Sequence, residues 1–283
     1  MIYLLLSILS STGIFVLFKL FNKYKINTLQ AIVVNYFTAC SIGLTFYDGN
    51  INVGEIVNST WFYGAIGLGF LFISIFNVMA LTAQKNGLSV ASVASKMSVI
   101  IPIVFGIVVF NESVGWLKIA GIVLALIAVY LTSVKEKDNV VLTQSIYLPI
   151  ILFFGSGTID TFVNYFAPDD KIPLFSAVIF GIAFTIGIFV LSYNSLRMKR
   201  HFKIKSIPFG VALGLINYAS IYYLLKALRV EGYDTSSIFT VNNVAIVAFS
   251  TLVGLFLFKE KISFKNWLGI LIAIISIVIV TLA

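Results

Sequence analysis

Few residues in this chain are of types that do chemistry, and most of those lie where water is scarce. Lys19, Lys96 and Asp160 are charged residues inside long apolar runs. An ionised side chain at mid-membrane costs roughly 2.5–3.5 kcal/mol on insertion scales, so such a group usually faces a partner or a water-filled cavity. Lys96 stands about eight residues into its run, some 12 Å deep at ~1.5 Å per residue, beyond comfortable snorkelling. Pro102 follows and removes one helical hydrogen bond, which permits a kink or a gate at that depth. An ammonium so placed suits a carboxylate or phosphate on a small substrate, with an internal ion pair or snorkelling as the other readings. Asp160 lies about fourteen residues into another run, where a carboxyl group can hold and release a proton, and is the candidate coupling residue. The two could also neutralise one another, since their depths differ by only ~8–9 Å and the lysine is long. Lys19 is about three residues from the end of its run and is expected to snorkel.

Amides and hydroxyls gather in the same runs. Asn77, Asn164, Asn217, Asn242, Asn243 and Tyr222 are expensive in hydrocarbon unless bonded. Each alone reads as interhelical glue; together they point to a shared polar cavity that binds substrate. Gly210 and Gly214, at GxxxG spacing, read as close helix packing and not as a nucleotide loop. No P-loop, H-E-x-x-H, G-x-S-x-G or C-x-x-C is present. Cys40 is the single cysteine, which excludes an internal disulfide and a cysteine metal site. His201, the single histidine, sits in a basic loop, and the Asp169-Asp170 pair is in a loop as well. The expectation is therefore no enzyme activity, no cofactor and no metal.

The elements that must position these residues are membrane helices. At 60% hydrophobic and 11% charged residues, with a mean hydropathy of +1.05, the chain cannot cover a soluble globule with polar surface. Apolar runs of about 20 residues match the length needed to cross a bilayer. Ten are read, near 2–22, 29–47, 60–84, 88–110, 116–134, 146–167, 172–195, 207–228, 234–258 and 265–282. The first lacks a basic n-region and a cleavage site and is expected to remain as a helix.

The +8 net charge is a topology signal and not a nucleic-acid footprint. Thirteen of the 19 Lys and Arg, among them Lys23, Lys85, Arg197, Lys203, Lys205, Lys259 and Lys265, fall in or beside the odd-numbered loops. The positive-inside rule puts those loops in the cytoplasm and both termini outside. Trp61, Trp116 and Trp267 begin spans, as interfacial anchors should.

One segment occurs twice. Val99, Gly106, Phe110, Glu112, Gly121, Ile122, Ala125 and Ile127 match Val247, Gly254, Phe258, Glu260, Gly269, Ile270, Ala273 and Ile275 without a gap. Upstream, Ala65, Gly67, Leu68, Ala80 and Leu81 match Ala212, Gly214, Leu215, Ala227 and Leu228, and Thr12 matches Thr158. Five spans per copy is an odd number, so the copies, over 1–134 and 146–283, are expected to run in opposite directions. The loops agree: Asn111, Ser113 and Leu117 in one copy become Lys259, Lys261 and Lys265 in the other. Glu112 and Glu260 each end a helix and are expected to cap the helix that follows.

These paired segments, PIVFGIVVFNESVGWLKIAGIVLALIAVYL (102–131) and STLVGLFLFKEKISFKNWLGILIAIISIVIV (250–280), resemble the two repeats of EamA-type transporters in the drug/metabolite transporter superfamily. The resemblance covers nearly the whole chain. It implies a central cavity lined by spans one, three, four, six, eight and nine, and it favours export of amino acids or related metabolites. Asn35 stands where the family has a basic residue in span two.

The expected protein is all-α: ten transmembrane helices in two inverted five-helix repeats, in a bacterial cytoplasmic membrane. Its expected function is secondary-active export of small carboxylated metabolites by alternating access. The expected partners are substrate, lipid and protons as a coupling ion, with the chain a monomer or weak homodimer. The alternatives are an exporter of cationic or aromatic drugs, an uncoupled facilitator, and, more remotely, a receptor or scaffold.

Overall fold

The computed structural model describes residues 2–101, 104–105, 115–133, 146–168, 171–198, 202–228, 230, 235–260 and 262–282. Pro102, Glu112, Asp169, Asp170 and His201 lie outside them, as does the second half of the fourth apolar run. The described elements are all helical: α1 (Ile2–Lys23), α2 (Thr28–Thr45), α3 (Val53–Val57), α4 (Phe62–Lys85), α5 (Leu88–Met97), α6 (Trp116–Ser133), α7 (Tyr147–Phe166), α8 (Ile172–Met198), α9 (Ser206–Leu228), α10 (Thr235–Phe258) and α11 (Phe264–Leu282).

Six apolar segments, Ile2–Lys23, Thr28–Thr45, Phe62–Lys85, Ile172–Arg197, Ser206–Ala227 and Val241–Phe258, are long enough to cross a bilayer. A helix satisfies its own backbone polar groups, which hydrocarbon cannot do for it. The chain is thus a helical integral membrane protein. Shorter apolar stretches run through α6, α7 and α11. The short α3, capped by Asn52 through Gly54 N–H, occupies a connection that periodicity leaves as loop.

The middle of the bundle is aromatic. Tyr36 and Phe18 are fully buried and pack with Phe76, while Phe180 lies against Tyr36 and Phe72. The Tyr36 hydroxyl donates to the Phe72 carbonyl at 2.8 Å, which lets a phenol sit there without an orphaned O–H. Trp61 corrects the anchor expectation. It is buried and meets Phe175 edge-on, whereas Trp116 and Trp267 are exposed.

Small residues set the closest approaches. A Cβ at Gly210 would lie 2.6 Å from the Ala31 carbonyl, and one at Gly214 would lie 2.7 Å from that of Asn35. The GxxxG reading therefore holds, with α2 as the helix approached. Gly67, its counterpart by alignment, has nothing near it; Gly64 and Gly69 carry the contacts of α4, against Phe166 and Ile182.

The helix pairs form a pattern. α2 packs on α9 as α4 does on α8, α1 on α9 as α4 does on α7, and α1 on α10 as α5 does on α7. α6 packs on α11, α2 on α8, and α5 on α10. The pattern breaks at several pairs, most heavily around α1. α1 packs on α4 and α5, whereas among the described residues α7 makes no such packing on α9 or α10.

Candidate functional site

Lys96 is in the last turn of α5, a helix otherwise made of small and apolar residues. Its neighbours Val93 and Met97 are fully buried and pack with Val244 and Val247 of α10. On the other side α5 meets α7. Ser95 and Ser156 share a hydrogen bond at 3.3 Å, and a Cβ at Gly157 would fall 2.7 Å from the Ser98 carbonyl. That glycine lets α7 approach until Asp160, one turn further along, is the charge that acts on Lys96.

The pair does not close. Lys96 and Asp160 are not within the 4.0 Å of an ion pair, and the Lys96 ammonium donates no hydrogen bond among the described residues. Asp160 is exposed on α7 while its neighbours Ile159 and Thr161 are buried. A half-buried ammonium and an exposed carboxylate thus act on one another without pairing. The arrangement can hold a ligand that carries an anionic group, a cationic group, or both.

The amides divide into two sets. Asn242 accepts from Ser7 at 3.1 Å, and Ser7 lies 3.3 Å from the Ser220 carbonyl, so one buried serine links α1, α9 and α10. Asn217 donates to Asn35 at 3.2 Å and ties α9 to α2. Asn77 donates to the Ile73 carbonyl of its own helix at 2.7 Å. Those three are structural in what they bond. Asn243, buried beside Val244, has no such partner among the described residues and flanks the α5–α10 crossing as Lys96 does. Asn164 is in α7, and its side chain lies outside the description.

Tyr222 belongs elsewhere. It sits in an aromatic group with Phe46, Tyr218 and Tyr223 near the end of α9, and the Lys226 ammonium stands 4.9 Å from its ring centre. A pocket of about 230 Å³ opens between α2 and α8, lined by residues including Asn27, Gln30, Ser192 and Phe202, and shares none with the Lys96 region.

Two sequence expectations fail at the far end of α5. Lys19 does not snorkel: its Nζ lies 2.8 Å from Glu260. Glu260 does not cap the helix that follows it, because Ser263 does so, accepting from Asn266 N–H at 3.2 Å. Glu260 instead accepts from Leu88 N–H at 3.0 and 3.1 Å and caps α5. The reason is local. Gly87 precedes α5 with φ +110° and has no side chain with which to cap it. Lys259 takes φ +51°, and Glu260 N–H returns to the Gly254 carbonyl, which turns the carboxylate back onto the bundle.

The chain matches no family model. It is 29% identical over 286 residues to an uncharacterized protein of Haemophilus influenzae, covering 97% of this chain and 95% of that protein. Its fold is similar to that of a protein of known crystal structure, with a TM-score of 0.59, covering 99% of this chain and 96% of that one, at 12% identity.

Proposed function

We propose that this protein is a secondary transporter of the EamA type, moving small carboxylated metabolites, such as amino acids, out of a bacterial cell. Ten spans in two inverted halves would rock around a site at Lys96. The observation that carries the reading is the unclosed pair: Lys96 and Asp160 act on one another without an ion pair, and Asn243 of α10 has no side-chain partner among the described residues. A protein that needed Lys96 only for structure would be expected to pair it, since an unpaired charge in a bundle is costly. A transporter instead leaves a charge free for its substrate.

The packing pattern supports the inverted halves. Exchanging α1, α2, α4, α5 and α6 for α7, α8, α9, α10 and α11 maps the heaviest helix contacts onto one another. The departure, α1 closed on α4 and α5 while α7 stands off α9 and α10, suits a molecule caught with one side shut. In this reading substrate carboxylate takes Lys96, and Asp160 carries the coupling proton.

The test is thermal stabilisation of the purified protein by amino acids, organic acids, nucleosides and cationic dyes, run beside Lys96→Ala. A carboxylated ligand should stabilise the parent and not the variant; no carboxylate effect on the parent would refute the reading. In liposomes, Asp160→Asn should then abolish the pH dependence of transport. A second reading, an exporter of cationic aromatics, is favoured by Lys226 over Tyr222. It predicts stabilisation by the dyes in parent and variant alike.

A further inference from the structure

Glu260, in the second half of the chain, is held by groups from the first. Its carboxylate receives Lys19 of α1 and Leu88 N–H of α5, and it reaches them because two glycines leave room. A Cβ at Gly87 would stand 3.0 Å from Glu260 Oε2, and one at Gly254 would stand 2.7 Å from it. Lys19 is 21% exposed and Glu260 12%. The knot therefore seals the point where α1, α5 and α10 converge. It lies at the end where α1, α4 and α10 run into Lys23, Lys85 and Lys259, the side that the positive-inside rule makes cytoplasmic.

What lies behind the knot is polar. From Leu88, α5 runs toward Lys96 with a serine at every third position, Ser89, Ser92 and Ser95, all buried. Among the described residues Ser89 Oγ has no hydrogen-bond partner, and neither does Thr251 Oγ1, one turn before Gly254 on the facing helix. Leu88 Cβ is 3.5 Å from where a Gly254 Cβ would be, so these two hydroxyls belong to residues within one turn of the contact that the knot clamps. A buried hydroxyl without a partner is costly, and a permanently dry seam has no reason to carry one. A seam that parts and admits water in another state does.

We infer that Lys19 and Glu260 form the cytoplasmic gate of the route to Lys96, and that the α5–α10 seam lined by Ser89, Ser92 and Thr251 is the route they close. Opening breaks the ion pair and frees the α5 N-terminus, so α5 can tilt away from α10 by its first turns. The gate is one-sided. At the Thr12–Thr158 offset, the position matching Lys19 is Tyr165, which offers no cation. The closed cytoplasmic end is thus the state that carries the added electrostatic hold.

This inference rests on the transport reading, yet its test needs no substrate. In a Cys40→Ala background, which removes the single native thiol, Ser92→Cys reports access to the seam. Inside-out vesicles are treated with a charged, membrane-impermeant maleimide. Labelling should be slow with the knot intact and at least tenfold faster in both Lys19→Met and Glu260→Gln. Ser276→Cys, fully buried where Ser276 bonds the Gly121 carbonyl, is the control and should stay unreactive in every variant. Rates at Ser92→Cys within twofold of the parent in both variants would overturn the gate. So would a reactive Ser276→Cys, because the knot would then be a general staple. A working gate without any ligand response would instead remove the transport reading and leave the seam.

Discussion

Two lysines in apolar helices meet opposite fates in this molecule. Lys19, near the end of α1, is closed onto Glu260 at 2.8 Å, with a helix N-terminus on the same carboxylate. Lys96, deeper in α5, has an acid within its field and no ion pair. The chemistry of the side chain is the same in both places. What differs is whether the surroundings complete it. Around Glu260, Gly87 and Gly254 give up their side chains so that the pair can form. Around Lys96, Gly157 brings α7 close and yet Asp160 stays short of contact. A charge that the fold satisfies serves the fold, and one that it leaves open is available to a ligand.

Glu260→Ala attacks the satisfied region most directly. It strands Lys19 and uncaps α5 together, so chemical or thermal unfolding should show a loss of about 3 kcal/mol, at the low end for a broken buried pair. If stability holds, the knot is decoration. Gly157→Val tests what sets the open region. The added methyls meet Ile101 and the Ser98 carbonyl, which should cost roughly 1–3 kcal/mol and push α7 off α5. Lys96→Ala should leave the melting temperature of the ligand-free protein unchanged and weaken a carboxylated ligand at least tenfold, about 1.4 kcal/mol. A fall in stability as large as that of Glu260→Ala would erase the contrast. The smallest effect belongs to Asn217→Ala, which removes one amide bond to Asn35. Interhelical hydrogen bonds average about 0.6 kcal/mol, and ligand response should not change.

Much of the fold was legible from hydropathy because a helix in hydrocarbon has no alternative. The six long apolar helices begin and end within a few residues of their runs, α8 going furthest past its expected end, to Met198. Lys96 and Asp160 were legible for the same reason, as charges where charge is expensive. The sorting of the amides was not. Asn217 and Asn243 look alike along the chain, and only the register of α9 on α2 gives one of them a partner. Glu260 reads along the chain as a cap for the helix next to it, whereas the N-terminus that lacks a cap of its own is that of α5. A glycine at 87 marks the need for a cap but not its source.

The Glu260 cap also imposes an order of assembly. Leu88 N–H and Glu260 are 172 residues apart in the chain. At a synthesis rate of ~5–20 residues per second, α5 waits roughly ten to thirty seconds for the acceptor that completes it. During that interval Lys19 is uncompensated too, so the first half enters the bilayer carrying a bare cation and an open helix end. The last third of the chain must arrive before either is settled. A product truncated before Glu260 keeps both liabilities for its whole lifetime, which makes it a natural target for membrane proteolysis.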